Sequence, residues 1–165
     1  MKRLKRSLVL FVVNHFFKGT RFFEIKRGLL NWAGNSIGKN TKVVGPIYYY
    51  SGTKIVIGSN CWIGTKVKIF GNGDLKIGNN VDLGPEVSFF TGTHVIGNSA
   101  RRAGKGRTVN FEIKDGCWIG GQTTFLNGVC VNDGCVVGAR SLVTKDCVDN
   151  SLYFGSPAKL RKKLN

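Results

Sequence analysis

His94 is one of two histidines in the 165-residue chain, and it stands in FFTGTHVIG just before Ile96 to Phe111 (IGNSARRAGKGRTVNF), a run with four basic residues and no periodicity. An imidazole can take a proton from a weak nucleophile near neutral pH, and a carboxylate beside it fixes its tautomer. The register set out below places Asp74 one coil under His94, about 4.8 Å away, as that carboxylate. The same column continues to Cys130, which raises a second chemistry, a Cys–His nucleophile. A three-histidine metal centre needs more imidazoles than the repeat supplies, because His15 lies outside it. No metal is expected.

What positions these groups is a period of six. Ile113, Ile119, Phe125, Val131, Val137 and Val143 recur at that spacing, and the position four after each is Cys117, Thr123, Val129, Cys135, Ser141 and Cys147. One column is large and apolar and the other small, which fits neither a helix nor a simple strand pair. Three hexads make one triangular turn of a parallel β-helix with the large column inward. Upstream, Ile37, Val43 and Tyr49 form one coil, Ile57, Ile63 and Ile69 the next, and Ile77, Leu83 and Phe89 a third. Their step is 20 rather than 18, so two extra residues sit at one corner, near Thr53 to Val56 and Asp74 to Lys76. The non-periodic run leaves from that corner and should project from one edge of the prism. A loop this long in a regular solenoid is usually functional or disordered. The expected architecture is an all-β parallel β-helix of about five coils over residues 35–149 with loop 96–111, preceded by a helical segment at 1–34 and followed by a short basic tail or helix at 150–165.

The charge narrows the partners. With 25 basic and 9 acidic residues the chain carries a formal +16, which favours anions. No zinc spacing, basic heptad region or aromatic RNA-binding signature is present, so nucleic acid is not expected. Cys61, Cys117, Cys135 and Cys147 fall in the small inward column and read as buried reduced thiols, which suits a cytoplasmic location. In MKRLKRSLVLFVVNHFF the apolar run Leu8 to Val13 is far shorter than the ~20 residues a membrane span needs. Residues 1–30 therefore predict one or two basic amphipathic helices. Two uses are open to them: an anchor at an anionic membrane surface, on its inner face, or a cap over the end of the β-helix or on another subunit.

The ladder, the histidine before a long loop, then EIKDGCWIGGQTTFLNGVCVNDGCVVGARSLVTKD and GSPAKLRKKL resemble the hexapeptide-repeat acetyltransferases. The resemblance is to their sugar O-acetyltransferase branch and covers roughly Ile37 to Leu164. It implies a left-handed parallel β-helix, a homotrimer with sites between subunits, and direct transfer from acetyl-CoA to a saccharide hydroxyl. In that family's pattern His94 matches the general base, Trp118 the tryptophan that walls the site, and the Gly121 N–H the donor to the thioester oxygen. Ala139, Thr144 and Lys145 match positions along the coenzyme's pantetheine arm and phosphates, and Lys159 and Lys162 the basic residues near its nucleotide. The chain departs from the pattern before the repeat, where the usual N-terminal helical domain is replaced by the basic apolar segment, and at Val95, where proline is frequent. An amine acceptor on a nucleotide-linked amino sugar, and a non-catalytic β-helix scaffold, are the alternative functions.

Overall fold

The computed structural model describes residues 2–50 and 52–165; Met1, the first residue of the predicted N-terminal segment, lies outside the described residues. The period of six becomes three parallel sheets. The first runs through Ser36–Ile37, Ile55–Ile57, Leu75–Ile77, Phe111–Ile113 and Cys130–Val131. The second runs through Lys42–Val43, Trp62–Ile63, Asp82–Leu83, Trp118–Ile119, Val136–Val137 and Ser151–Gly155. The third runs through Ile47–Tyr49, Val67–Phe70, Ser88–Phe90, Thr124–Phe125 and Leu142–Val143.

Ile37, Ile57, Ile77, Ile113 and Val131 stack in register, as do Tyr49, Ile69, Phe89, Phe125 and Val143. Val43, Ile63, Leu83, Ile119 and Val137 form the third column, which Tyr153 extends. These are the inward columns that the hexads predict. Five complete turns are followed by the start of a sixth, where Cys147 bridges Val131 and Ser151–Gly155 joins the second sheet, one more than expected. Inside the third and fourth coils the Phe89 and Phe125 rings stack at 4.9 Å and Phe111 tilts against Phe89 at 5.5 Å, all buried. The four inward cysteines are buried and unpaired, and burial pushes the Cys147 thiol up to about 12.

The corners explain the small and polar residues between the columns. Asn40, Asn60, Asn80, Gly116, Gly134 and Asn150 recur at one corner with positive φ, a conformation that only Gly and Asn adopt at low cost. Asx side chains then tie each coil to the one below. Asn79 accepts from Ser59 N–H, Asp115 from Asn79 N–H and Asp133 from Asp115 N–H, all within 2.8–2.9 Å.

Added elements lie at both ends. Helix α1 (Lys2–Phe16) and helix α2 (Phe23–Trp32) cover the first coil, burying Val9, Val13 and Leu30. Asn14 makes two bonds to the backbone of Ile47, and Asn31 two to that of Ile37, occupying edge groups that no earlier coil supplies. At the other end the expected tail or helix is a β-hairpin. Ala158–Lys163 returns antiparallel along Ser151–Gly155 and covers the last edge of the second sheet.

Lys26, on α2, is fully buried and donates to the carbonyls of Gly19 at 2.6 Å and Val44 at 2.9 Å. Burial lowers its pKa from 10.5 to about 8. Between those values the unfolded chain holds the extra proton, so this residue's contribution to stability rises with pH. The stability of wild type minus that of Lys26→Met should increase by up to about 1.4 kcal/mol per pH unit between pH ~8 and ~10. Urea unfolding at fixed salt measures it, and a flat difference would show that the amine is not desolvated.

Candidate active site

His94 does not sit in a coil. The chain leaves the corner after the third sheet at Thr91 and returns at Val109, and the run expected to be a loop is an antiparallel hairpin of Gly92–Ile96 and Ala103–Thr108. Thr91 secures its root. The residue is fully buried, its hydroxyl donates to Phe70 O at 2.9 Å and accepts from Gly73 N–H at 3.0 Å, and its carbonyl accepts from Val109 N–H at 2.8 Å. On the arm, His94 pairs with Gly106 and is exposed to solvent. A Cβ on Gly106 would lie 4.0 Å from the imidazole, so the glycine leaves that side of the ring bare. At the arm's tip Asn98 accepts from the N–H groups of Ala100 and Arg101, which shapes the turn.

Asp74 does not partner His94. Because the chain departs at Thr91, the residue that comes to lie over Asp74 is Asn110, whose neighbour Phe111 pairs with Leu75. The Asp74 carboxylate accepts from Lys54 N–H at 2.9 Å, and Asp74 N–H donates to Asn110 Oδ1 at 2.8 Å. It is one more rung of the corner ladder, and no described residue of the same chain hydrogen-bonds the His94 ring. Cys130 is displaced too. It pairs with Glu112 on the first sheet, its N–H donates to Asp146, and burial raises its pKa, the opposite of an activated thiol.

The remaining residues fall on other parts of the prism. Trp118 stands 61% exposed on the outer face of the second sheet, in the column Lys42, Trp62, Asp82, Trp118, Val136 and Leu152, and Lys162 faces Leu152 across the final hairpin. Lys159 lies opposite Phe154 in the same hairpin. Gly121 and Ala139 share the corner between the second and third sheets, beside a shallow groove of about 410 Å³. Their own N–H groups donate to nothing among the described residues, while Gly121 O accepts from Arg140 N–H at 2.9 Å. The coils touch closely there, since a Cβ on Gly120 would fall 2.4 Å from Ala139 N and one on Gly84 2.4 Å from Gly121 N. Thr144 and Lys145 sit at the third corner, the one from which the arm leaves; Thr144 O accepts from Asn127 and Lys145 is exposed.

Sequence reasoning missed three features of this region. One is the rivet at Thr91, which only the register reveals. A second is the outward ladder beside Gly121, in which Arg140 bonds Gln122, Gln122 bonds Glu86 and Lys66 pairs with Glu86 at 3.4 Å. The Gln122 amide, then Lys66, hold the Glu86 carboxyl below its usual range. Their sequence signal is the recurrence of Lys66, Glu86, Gln122 and Arg140 at coil spacing; in the structure all four share a positive φ. The third is Asp82, between the two exposed tryptophans of its column. Among the described residues no group of three or more His, Cys, Asp or Glu side chains is placed to hold a metal ion.

No family model matches the sequence. The galactoside O-acetyltransferase of Lactococcus lactis is 31% identical over 143 residues, spanning 86% of this chain and 69% of that protein. This chain belongs to the sugar O-acetyltransferase branch of the hexapeptide-repeat acetyltransferases. The galactoside O-acetyltransferase of Escherichia coli is 28% identical across 99% of this acetyltransferase and 80% of its own length. A crystallised galactoside acetyltransferase in complex with coenzyme A superposes with a TM-score of 0.82 at 26% identity, covering 99% of this chain and 81% of that one. Because 99% of this chain is covered, the superposition takes in α1 and α2.

The reassignment of Asp74 has a measurable consequence. Asp74→Ala should cost about 1 kcal/mol in chemical denaturation through the lost hydrogen bond, while turnover stays within about threefold of wild type. A hundredfold loss of turnover without loss of stability would restore the carboxylate as the partner of His94.

Proposed function

We propose that this acetyltransferase transfers the acetyl group of acetyl-CoA directly to a saccharide hydroxyl at clefts between the subunits of a homotrimer, with His94 as general base. The observation that carries the reading is a separation. His94 projects on an arm from the corner between the third and first sheets, whereas the free N–H groups of Gly121 and Ala139 open at the corner between the second and third, and Trp118 stands on the second sheet. One prism offers a base and an oxyanion donor on different edges. Side-by-side prisms bring the arm of one against the exposed corner of the next.

The chemistry then follows from the residues. The acceptor oxygen attacks the thioester carbonyl carbon as an imidazole nitrogen of His94 takes its proton. Negative charge gathering on the carbonyl oxygen meets the Gly121 N–H, a donor already in place and unspent within its own chain. The C–S bond breaks, and His94 returns the proton to the departing thiolate. Exposed Lys145, Lys159 and Lys162 suit the phosphates of the coenzyme as point charges, and Thr144 and Ala139 its pantetheine arm. The bare backbone at Gly106 leaves room for a bulky acceptor beside the ring. The formal charge of +16 favours an anionic saccharide or a precursor of a cell-surface polysaccharide, capsule or O-antigen, met in the cytoplasm, where four buried thiols stay reduced.

Thiol release from acetyl-CoA with a panel of neutral sugars, acidic glycans and nucleotide amino sugars tests the assignment. Turnover with hydroxyl acceptors should fall at least about a hundredfold in His94→Ala; turnover with amino sugars alone would make the enzyme an N-acetyltransferase. Refolding His94→Ala together with Trp118→Ala, each inactive by itself, should recover about a quarter of wild-type sites, because one site then draws its intact residues from two chains. No recovery in trimers shown to be mixed would place the whole site within one chain.

A further inference from the structure

Helix α1 carries two apolar faces, and only one is used within the chain. Its inner face buries Val9 and Val13 and aims Arg6 and Asn14 at backbone carbonyls of the cap and first coil. On the opposite face Leu4, Leu8 and Phe11 follow at i, i+4 and i+7 and remain 78%, 56% and 53% exposed. His15, exposed and stacked on Phe11 at 4.3 Å, continues that face, and Phe16, 70% exposed, stands beside its end with an edge contact to Phe11 at 6.2 Å. An end cap needs one apolar side. The second therefore meets something outside the chain.

The charge around the stripe identifies the partner. Glu24 is the single acidic residue before Asp74, against 13 lysines and arginines, so a net +12 of the chain's +16 lies in the first 73 residues. Glu24 is itself paired with Arg27. Arg3, Lys18 and Arg21 are exposed in and just after α1, and Lys5 sits 4.0 Å over the face of Trp32, itself 58% exposed. A second copy of this face would bring like charges together. An anionic bilayer supplies both an apolar interior for the leucines and phenylalanines and negative headgroups for the cations around them. We propose that the outer face of α1 docks this enzyme on an anionic lipid surface. Among the described residues no helix is long and apolar enough to cross a membrane, and the proposed contact is interfacial.

Co-sedimentation of the full chain with vesicles tests this independently of the catalytic reading. At about 0.1 M salt, vesicles of phosphatidylcholine with about a third phosphatidylglycerol should retain at least roughly tenfold more protein than phosphatidylcholine alone, and the difference should shrink as salt rises. Leu4→Glu/Leu8→Glu should lose that binding roughly tenfold while melting temperature and light-scattering mass stay those of wild type, since both side chains are more than half exposed. Arg3→Glu/Arg21→Glu should lose it with the apolar stripe intact. Equal binding to both vesicle types, or binding to neither, overturns the proposal. A changed mass for the leucine variant also overturns it and assigns the face to contact between copies.

Discussion

Each coil of this prism is completed by the coil beneath it. Strands of two to four residues have no stability of their own, and their N–H and C=O groups are satisfied only by the same positions one turn away. The side chains obey the same rule, so that the Asx residues at the corners accept from the previous coil and the Phe89 ring finds Phe125 above it. An architecture held this way can be extended indefinitely, and its weak points are its two ends. Asn14, Asn31 and Lys26 stand in for a missing coil at one end, and the final hairpin covers an edge of the second sheet at the other.

This regularity determines where chemistry can be placed. Residues inside the prism are committed to stacking, so function is confined to outward columns, corner amides and insertions. The proposed site draws on all three, with Trp118 on a face, Gly121 and Ala139 at a corner and His94 on an insertion. The coils pack so closely at the Gly84, Gly120 and Ala139 corner that a side chain on either glycine would strike the adjoining backbone, and the Gly121 and Ala139 N–H groups donate to nothing among the described residues.

The inward columns were readable from the sequence because a strict period leaves no freedom of register. Ile37, Val43 and Tyr49 could be followed by arithmetic through every coil to Val143. What escaped was whatever broke the count. Asp74 and His94 share a count of five from their columns, yet the chain had already left the coil at Thr91, so the arithmetic paired residues that belong to different structures. Loop 96–111 had no period because it is a hairpin rich in glycine, whose two strands answer to each other and not to the prism. The basic C-terminal run resembled a tail because five of the six residues of Ala158–Lys163 are exposed on an edge strand, where no apolar alternation is required.

The root of the arm has a wider meaning. Thr91 O and Val109 N are joined at 2.8 Å, so the chain reaches the end of the insertion almost where it began. Closing so short a gap with more or fewer residues changes the entropy cost only logarithmically, and the coil below continues to see the same buried hydroxyl. The arm is therefore a cassette. Its length, charge and shape can change while the coils on either side of it keep their register.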